Sequence, residues 1–409
     1  MSRAPLNLSY DVVLESLGIR PIHHFSNSRE SLSPQERLKQ VKFQAKRFVD
    51  DFKLINQQVQ FLQTFDLISV PYPVKSAFGD ATSLLNPYLY VTHRLMVLQF
   101  ATQSGTKTLL FSPSDIEANA KTPHFQHWQR RMGIFKDLLQ PIIIPTHNTV
   151  EGILENIGIS PADIDFICYD HLHTQDLRKW LGSYEQTALF PNAKLLVMDQ
   201  EWEAVKDLLP LQNYWYCPDG IDGIDPNKII PLHSSIMLGD SIALIHTPGH
   251  TQGSQSLVVN TETGVLVCSQ NGISVDNYSP EHSTIYGIAD HAEKNHLAVI
   301  PNGEQSELRL DQYISMILEK TIADKHPDDK RFYNIMPSSE LSARWQPFAL
   351  SPTLSFGEVK FGEIHNSTEN FTPNSANPNT PDTSATEPNT TDPSIIERES
   401  LDPRIAAQA

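Results

Sequence analysis

The sequence predicts a layered α/β domain with β-sheets in its interior, and two observations carry this prediction. From about Phe65 onward, short apolar runs are separated by polar turns, as expected of strands. Helical segments alternate with these runs and with hairpins over roughly 300 residues, which is typical of packed layers of sheet and helix. The runs predicted as strands include "LISVPYPV", "YLYVTHRLMVLQFA", "TKTLLFSP", "AKLLVMDQ", "SIALIHTPG", "SQSLVVN" and "TGVLVCSQ". The segments predicted as helices include "HFQHWQRRMGIFKDLLQPII", "TVEGILENIG" and "LRLDQYISMILEKTIA".

A long amphipathic helix is predicted near the N-terminus. Ser33, Pro34 and Glu36 have the order of an N-cap, a first-turn proline and an acid at the third helical position. An apolar stripe then follows at spacings of three and four residues, which predicts about eight turns of helix. The stripe consists of Leu38, Val41, Ala45, Phe48, Phe52, Ile55, Val59 and Leu62. It could pack on the rest of the chain, or it could form a homodimer seam, because it keeps a seven-residue repeat.

These features divide the chain into three predicted segments. Residues 1–64 form an N-terminal extension with the long helix, and residues 65–365 form the α/β domain. Residues 366–409 are rich in Asn, Thr, Ser and Pro and contain few apolar residues. Such a segment cannot bury enough surface to offset the entropy lost on ordering, so we expect a disordered tail.

The composition disfavours several classes of partner. The formal net charge is −17, so nucleic acid and anionic membranes gain no electrostatic attraction. No apolar run reaches the roughly 18 residues of a spanning helix, and the N-terminus lacks the pattern of a signal peptide. The three cysteines are too few for a disulfide framework. We therefore expect a cytoplasmic protein that binds neither nucleic acid nor a membrane.

The first candidate motif for chemistry is "YDHLHTQDL". A predicted strand, residues 164–169, leads directly to His171 and His173. Residues two apart at the end of a strand point to the same side, so both imidazoles could reach one ion. Neutral imidazole is a common zinc ligand.

The second candidate motif is "HTPGHTQGS", which follows another predicted strand. A Pro-Gly pair makes a tight turn in front of His250, and Gly253 allows close approach of backbone behind it. His250 is therefore predicted to sit on a stiff turn at a sheet edge. Such a turn can present a third ligand in a fixed position.

The two motifs together resemble those of the metallo-β-lactamase superfamily, over about residues 65–362. The resemblance implies an αββα sandwich with a metal site at one edge. It also implies that His171, His173 and His250 are the three histidines of the first metal site.

The same resemblance points to departures at the second metal site. The family's aspartate and neighbouring histidine of the first motif fall on Gln175 and Asp176, and its bridging aspartate falls on Asn271. Its last histidine falls on Ser339. Neither an amide nor a serine hydroxyl supplies the charge that holds a second dication, so one zinc ion is expected. A longer loop could instead bring Asp176 to the place of the missing aspartate, which leaves Gln175, Asp176 and Asn271 as weaker ligand candidates.

The predicted function is metal-dependent hydrolysis of a small ester, lactone or thioester. Three histidines and one water make an open zinc site, and Asp176 is the candidate to accept a proton from that water or to act as a further ligand. Two alternatives stay open. The metal could be iron in an oxygen-using enzyme of the same fold. The chain could also be a catalytically inactive interaction protein that works through its N-terminal helix.

Overall fold

Two β-sheets lie face to face at the centre of the computed structural model, which describes residues 14–82, 87–302, 308–343 and 350–365. The first sheet has six strands in the order β1-β8-β9-β10-β11-β12. Its neighbours pair antiparallel except β11 and β12, which are parallel. Its strands are β1 (Ile19–Pro21), β8 (Ile236–Leu238), β9 (Ile242–His246), β10 (Gln255–Thr261), β11 (Gly264–Cys268) and β12 (Ile335–Met336).

The second sheet has eight strands, in the order β14-β2-β3-β4-β5-β6-β7, with β13 paired to β3. Its half from β4 to β7 is parallel, and its other pairs are antiparallel. Its strands are β2 (Phe61–Pro73), β3 (Tyr88–Thr102), β4 (Gly105–Phe111), β5 (Phe166–Cys168), β6 (Lys194–Met198), β7 (Ile229–Leu232), β13 (Ser339–Leu341) and β14 (Lys360–Gly362).

Helices cover the outer faces of both sheets. The described α-helices are α1 (Pro34–Ile55), α2 (Val74–Phe78), α3 (Ile116–Asn119), α4 (Pro123–Met132), α5 (Lys136–Ile143), α6 (Val150–Ile157), α7 (Arg178–Leu181), α8 (Asp199–Lys206), α9 (Val275–Tyr278), α10 (Ile288–Asn295) and α11 (Arg309–Ile322). The predicted helix over residues 124–143 is interrupted at Gly133, which has φ +55° and separates α4 from α5. No helix in the described ranges is both long and apolar enough to cross a membrane.

Strand β9 shows how the sequence specifies the layers. Ile242 and Leu244 point between the two sheets, whereas Ala243 and Ile245 face the outer layer that contains α1 and α11. This alternation follows from the two-residue period of a strand, and both of its faces are apolar because both are covered. On the second sheet, β6 alternates in the same way between the central layer and an outer layer with α6 and α7. The predicted αββα sandwich is confirmed.

Helix α1 is shorter than the sequence predicts. It ends at Ile55, where Asn56 adopts the left-handed conformation and caps the helix. Residues from Phe61 onward belong to β2, so the prediction of about eight turns is wrong at its C-terminal end. The stripe from Val41 to Phe52 is buried against the first sheet and α11. These side chains therefore pack on the rest of the chain, which is the first of the two arrangements that the sequence allows.

The predicted N-terminal extension is part of the sandwich. Strand β1 pairs with β8, and β2 begins before residue 65. The boundary predicted at residue 65 therefore falls inside a strand. The predicted tail, residues 366–409, lies outside the described residues.

Candidate metal site

His171 and His173 lie on the loop that follows β5. This loop is held to the rest of the site by Glu201 on α8, whose carboxylate accepts a hydrogen bond from the backbone N of Leu172 at 2.8 Å. Thr251, which follows His250, donates from its Oγ1 to the same carboxylate at 2.6 Å. Glu201 therefore connects the two chain segments that carry the three histidines.

His250 lies on the turn that follows β9. Gly249 is required in this turn because a Cβ atom there would lie 2.4 Å from the Cα of Gln312 on α11. The backbone N of His250 donates to Oδ1 of Asn271 at 3.1 Å. Close packing on α11 and this hydrogen bond hold the turn in place.

The three imidazoles converge. Ligand-capable atoms of His171, His173 and His250 all lie within 4.8 Å of one another. Nδ1 of His173 is 3.2 Å from Nε2 of His250. Two nitrogens bound to one tetrahedral zinc ion at about 2.0–2.1 Å would lie about 3.3 Å apart, so this spacing fits a shared ion.

The cluster favours neutral imidazoles. Burial lowers the pKa of His250 to about 3, with a further contribution from His171. Burial and the two neighbouring histidines also hold the pKa of His173 well below its usual range. Neutral imidazole is the form that binds metals, so at neutral pH His173 and His250 have the protonation state of metal ligands.

Asp170 orients the first histidine. Its Oδ1 lies 3.2 Å from Nδ1 of His171, and its Oδ2 accepts a hydrogen bond from Oγ of Ser338 at 2.7 Å. Burial raises the pKa of this carboxyl, but the neighbouring His171 and Ser338 outweigh burial and lower it overall. A carboxylate on Nδ1 leaves Nε2 as the nitrogen of His171 that can bind an ion.

Asn302 contacts the far side of His250. Its Nδ2 donates to Nδ1 of His250 at 2.9 Å and to the backbone O of Gln270 at 2.9 Å, and its Oδ1 accepts from Gln312 at 2.6 Å. Because an amide NH₂ can only donate, the ring proton of His250 lies on Nε2 in this arrangement. Binding of an ion at Nε2 therefore requires this proton to move to Nδ1 and the Asn302 amide to turn so that its oxygen accepts it.

Gln175 and Asp176 point in different directions. Gln175 lines the cavity beside the histidines, where its Oε1 accepts from Ser114 at 2.9 Å and from Asn119 at 3.1 Å. Asp176 is buried and is not among the residues that line the cavity. Both of its oxygens are engaged by Arg178, whose pKa this ion pair raises. This placement argues against the predicted role of Asp176 as base or ligand.

Asn271 also points away from the cavity. Its Nδ2 donates to Glu319 at 2.7 Å and to the backbone O of Thr247 at 3.2 Å. The preceding residue, Gln270, lines the cavity instead, together with Ser339. The amide that faces the histidines from this strand end is therefore Gln270 and not Asn271.

The cavity beside the histidine cluster has a volume of about 150 Å³. Its polar lining contains the three histidines, Asp170, Gln175 and Gln270. The lining also contains apolar and aromatic side chains, those of Ile68, Val70, Tyr72, Val91, Ile116, Phe125 and Ile144. The cavity thus combines a candidate reactive centre with a binding surface for an apolar group.

Three residues of the site were not found from the sequence. His93 lines the cavity, Glu201 joins the two histidine segments, and Asn302 contacts His250. The position of Glu201 could have been recognised from the sequence. It lies in the first turn of the helix that follows a buried strand, and such a position is close to a sheet edge. His93 and Asn302 could not have been recognised in this way, because their partners are remote in the chain.

No family model matches the chain. Part of the chain is similar in sequence to an N-acyl homoserine lactonase from Bacillus sp., with 28% identity over 142 residues. The match covers 32% of this chain and 48% of the relative, so the chain spans about half the length of the curated relatives that it matches. An N-acyl homoserine lactonase from Bacillus cereus is 28% identical over 123 residues, which are 28% of this chain and 40% of that protein.

Solved structures with a similar chain path include a probable metal-dependent hydrolase from Staphylococcus aureus. Its TM-score is 0.42 at 16% identity, over 63% of this chain and 83% of that chain. This likeness is too distant to bear on activity.

The two-sheet sandwich, the three histidines after β5 and β9 and the local match to the lactonases agree with one another. They also agree with the resemblance to the metallo-β-lactamase superfamily that the two histidine motifs predict. The cavity beside the histidines is also lined by neutral polar side chains, those of Gln175, Gln270 and Ser339.

Proposed function

We propose that this chain is a metal-dependent hydrolase of a small acyl compound, an ester, lactone or thioester. The observation that carries the proposal is the convergence of three imidazoles at the wall of a cavity. His171, His173 and His250 would hold one ion, and the nitrogen donor set suits zinc. When bound, such an ion supplies a water of lowered pKa and polarises a carbonyl oxygen.

The same residues argue for one ion and for zinc over iron. In the described ranges, the group of close metal-ligating side chains contains the three histidines and no carboxylate. Gln175, Gln270 and Ser339 can offer oxygen atoms but no negative charge to a second dication. Iron-dependent oxygen chemistry of the predicted kind uses a carboxylate ligand, so nothing in the site favours that alternative.

The shape of the cavity supports the substrate class. Its apolar lining could hold an acyl chain while the carbonyl group faces the histidines. The local match to N-acyl homoserine lactonases is consistent with a lactone, although it covers only a third of the chain.

Metal content is the first test. The purified full-length chain, reconstituted with Zn²⁺ and desalted, should retain about one ion per chain. The His250→Ala variant should lose most of it. His233→Ala, a variant of a mostly exposed histidine paired with Asp199, should retain it. Retention of less than about a tenth of an equivalent by the unaltered chain would overturn the proposal.

Hydrolysis is the second test. The metal-loaded chain should hydrolyse members of a panel of acyl lactones, aryl esters and thioesters, and chelation should abolish this activity. A loaded chain that hydrolyses none of them would leave a metal-binding protein without the proposed activity.

A further inference from the structure

A serine and a histidine lie next to each other in the cavity lining, and the serine is at the position where the family resemblance implies the last metal-binding histidine. Ser339 on β13 and His93 on β3 are directly paired across the two antiparallel strands. Both side chains line the cavity that contains the three-histidine cluster.

The hydrogen bonds of His93 define its ring proton. Its Nε2 lies 3.2 Å from the backbone O of Ser112 and 2.9 Å from Oγ of Ser114. A carbonyl oxygen can only accept, so Nε2 carries the proton. Nδ1 is then an acceptor, and it lies 3.0 Å from Oγ of Ser339, which donates to it. These contacts give a hydroxyl, a base and a group that orients the base.

The surroundings keep His93 available as a base. Burial lowers the pKa of His93, with Asp170 raising it and His171 lowering it to smaller extents. The imidazole is therefore neutral at neutral pH, as an acceptor of the serine proton must be.

The backbone of Ser339 is held in place by Gln270. Oε1 of Gln270 accepts from the backbone N of Ser339 at 2.8 Å, and its Nε2 donates to the backbone O of Ser339 at 3.3 Å. The same Oε1 lies 2.7 Å from Oγ of Ser338. These bonds fix the backbone of Ser339 beside β3, where its Oγ is within hydrogen-bond distance of His93.

We propose that Ser339 and His93 form a nucleophile–base pair that takes the acyl group of the substrate onto Ser339. The substrate class rests on the proposed function, whereas the pair itself stands on the geometry of β3 and β13. Hydrolysis at this site would pass through a covalent serine ester.

The chemistry balances with water alone. Oγ of Ser339 bonds to the substrate carbonyl carbon as its proton moves to Nδ1 of His93. The bond to the leaving group then breaks, and the leaving group takes that proton. Water attacks the serine ester, gives a proton to Nδ1 and releases the acid, after which the proton returns to Oγ.

Labelling of metal-free protein tests the pair. The full-length chain, freed of metal by chelation, is treated with a small alkyl fluorophosphonate, and the modified residue is located by peptide mass spectrometry. One adduct on Ser339 is expected. The rate of labelling should fall by at least about a hundredfold in His93→Gln, because the hydroxyl then lacks its base.

Two variants control this experiment. Ser339→Ala should abolish the adduct, and Ser342→Ala, a change three residues further along the chain and outside the cavity lining, should leave it unchanged. Circular dichroism of each variant shows whether it is folded. No adduct on the folded chain, an adduct on another residue, or unchanged labelling in His93→Gln would overturn the proposal.

This result is separable from the proposed function. Labelling needs no metal, so an adduct on Ser339 would stand even if the chain bound no zinc. If the metal-loaded Ser339→Ala variant hydrolysed the substrate panel as fast as the unaltered chain, the nucleophile would be excluded and metal-dependent hydrolysis retained.

Discussion

The carboxylate of Glu201 is predicted to fix the distance between the two segments that carry the histidines. It accepts from the backbone N of Leu172, between His171 and His173, and from Oγ1 of Thr251, directly after His250. Tyr216 adds a longer hydrogen bond of 3.4 Å from its hydroxyl. Glu201→Ala removes all of these acceptors at once.

The cost of Glu201→Ala can be worked from these contacts. The buried N–H of Leu172 loses its acceptor, which costs about 1–3 kcal/mol. The hydroxyl of Thr251 also loses an acceptor but keeps its contact with Ser254 at 2.9 Å, so the destabilisation from this group is smaller, at about 1 kcal/mol. A total of about 3 kcal/mol corresponds to a fall in thermal midpoint on the order of 4 °C for a domain of roughly 340 residues. Glu201→Gln keeps one acceptor oxygen and should cost about half as much.

Urea unfolding followed by circular dichroism measures this change. Glu203→Ala is the matched control, because Glu203 lies on the same helix with a side chain 70% exposed and pairs only with Lys206 among the contacts described. Its effect should be within about 0.5 kcal/mol. If Glu201→Ala destabilises the chain no more than Glu203→Ala does, Glu201 does not hold the two segments together.

Three further predictions concern other residues. Burial lowers the pKa of His124 from 6.5 to about 4. Between these pH values the folded chain binds fewer protons than the unfolded chain. The free energy of unfolding should therefore fall by about 3 kcal/mol as the pH decreases through this range. His124→Phe should flatten this loss in urea unfolding at pH 7 and pH 4.5, and an unchanged slope would contradict the assignment. Asp176→Asn should lower stability by about 1–2 kcal/mol by weakening the pair with Arg178, with metal content unchanged; loss of metal would restore Asp176 as a ligand. Gly253→Ala places a Cβ 2.1 Å from the backbone N of Glu201 and should cost at least about 2 kcal/mol, far more than Gly152→Ala on α6; equal melting of the two variants would refute the close approach.

The sequence predicts the three histidines well because strand ends determine their positions. His171 and His173 follow β5 and His250 follows β9, so the spacing within each motif translates directly into direction. The neighbouring pair Gln175 and Asp176 is less predictable. Thr174 adopts a positive φ of +65°, which turns the loop so that Gln175 faces the cavity and Asp176 faces Arg178. The sequence of the motif does not predict this turn, because threonine rarely adopts a positive φ.

Local sequence patterns do not predict contacts between residues that are far apart in the chain. His93 lies within a long strand, and its partner Ser339 is 246 residues away. The predicted end of α1 is too far along the chain because the apolar spacing continues beyond the residue that caps the helix. Val59 and Leu62 continue the apolar spacing of the helix by coincidence, although Asn56 has already ended it and Leu62 belongs to β2.

The most direct test of the metal site is a crystal structure of the zinc-loaded chain with anomalous data at the zinc edge. One peak is predicted, with a nitrogen of His171, Nδ1 of His173 and Nε2 of His250 each at about 2.0–2.1 Å. The absence of a peak at this cluster, or a bound ion that any one of the three histidines fails to contact, would contradict the account.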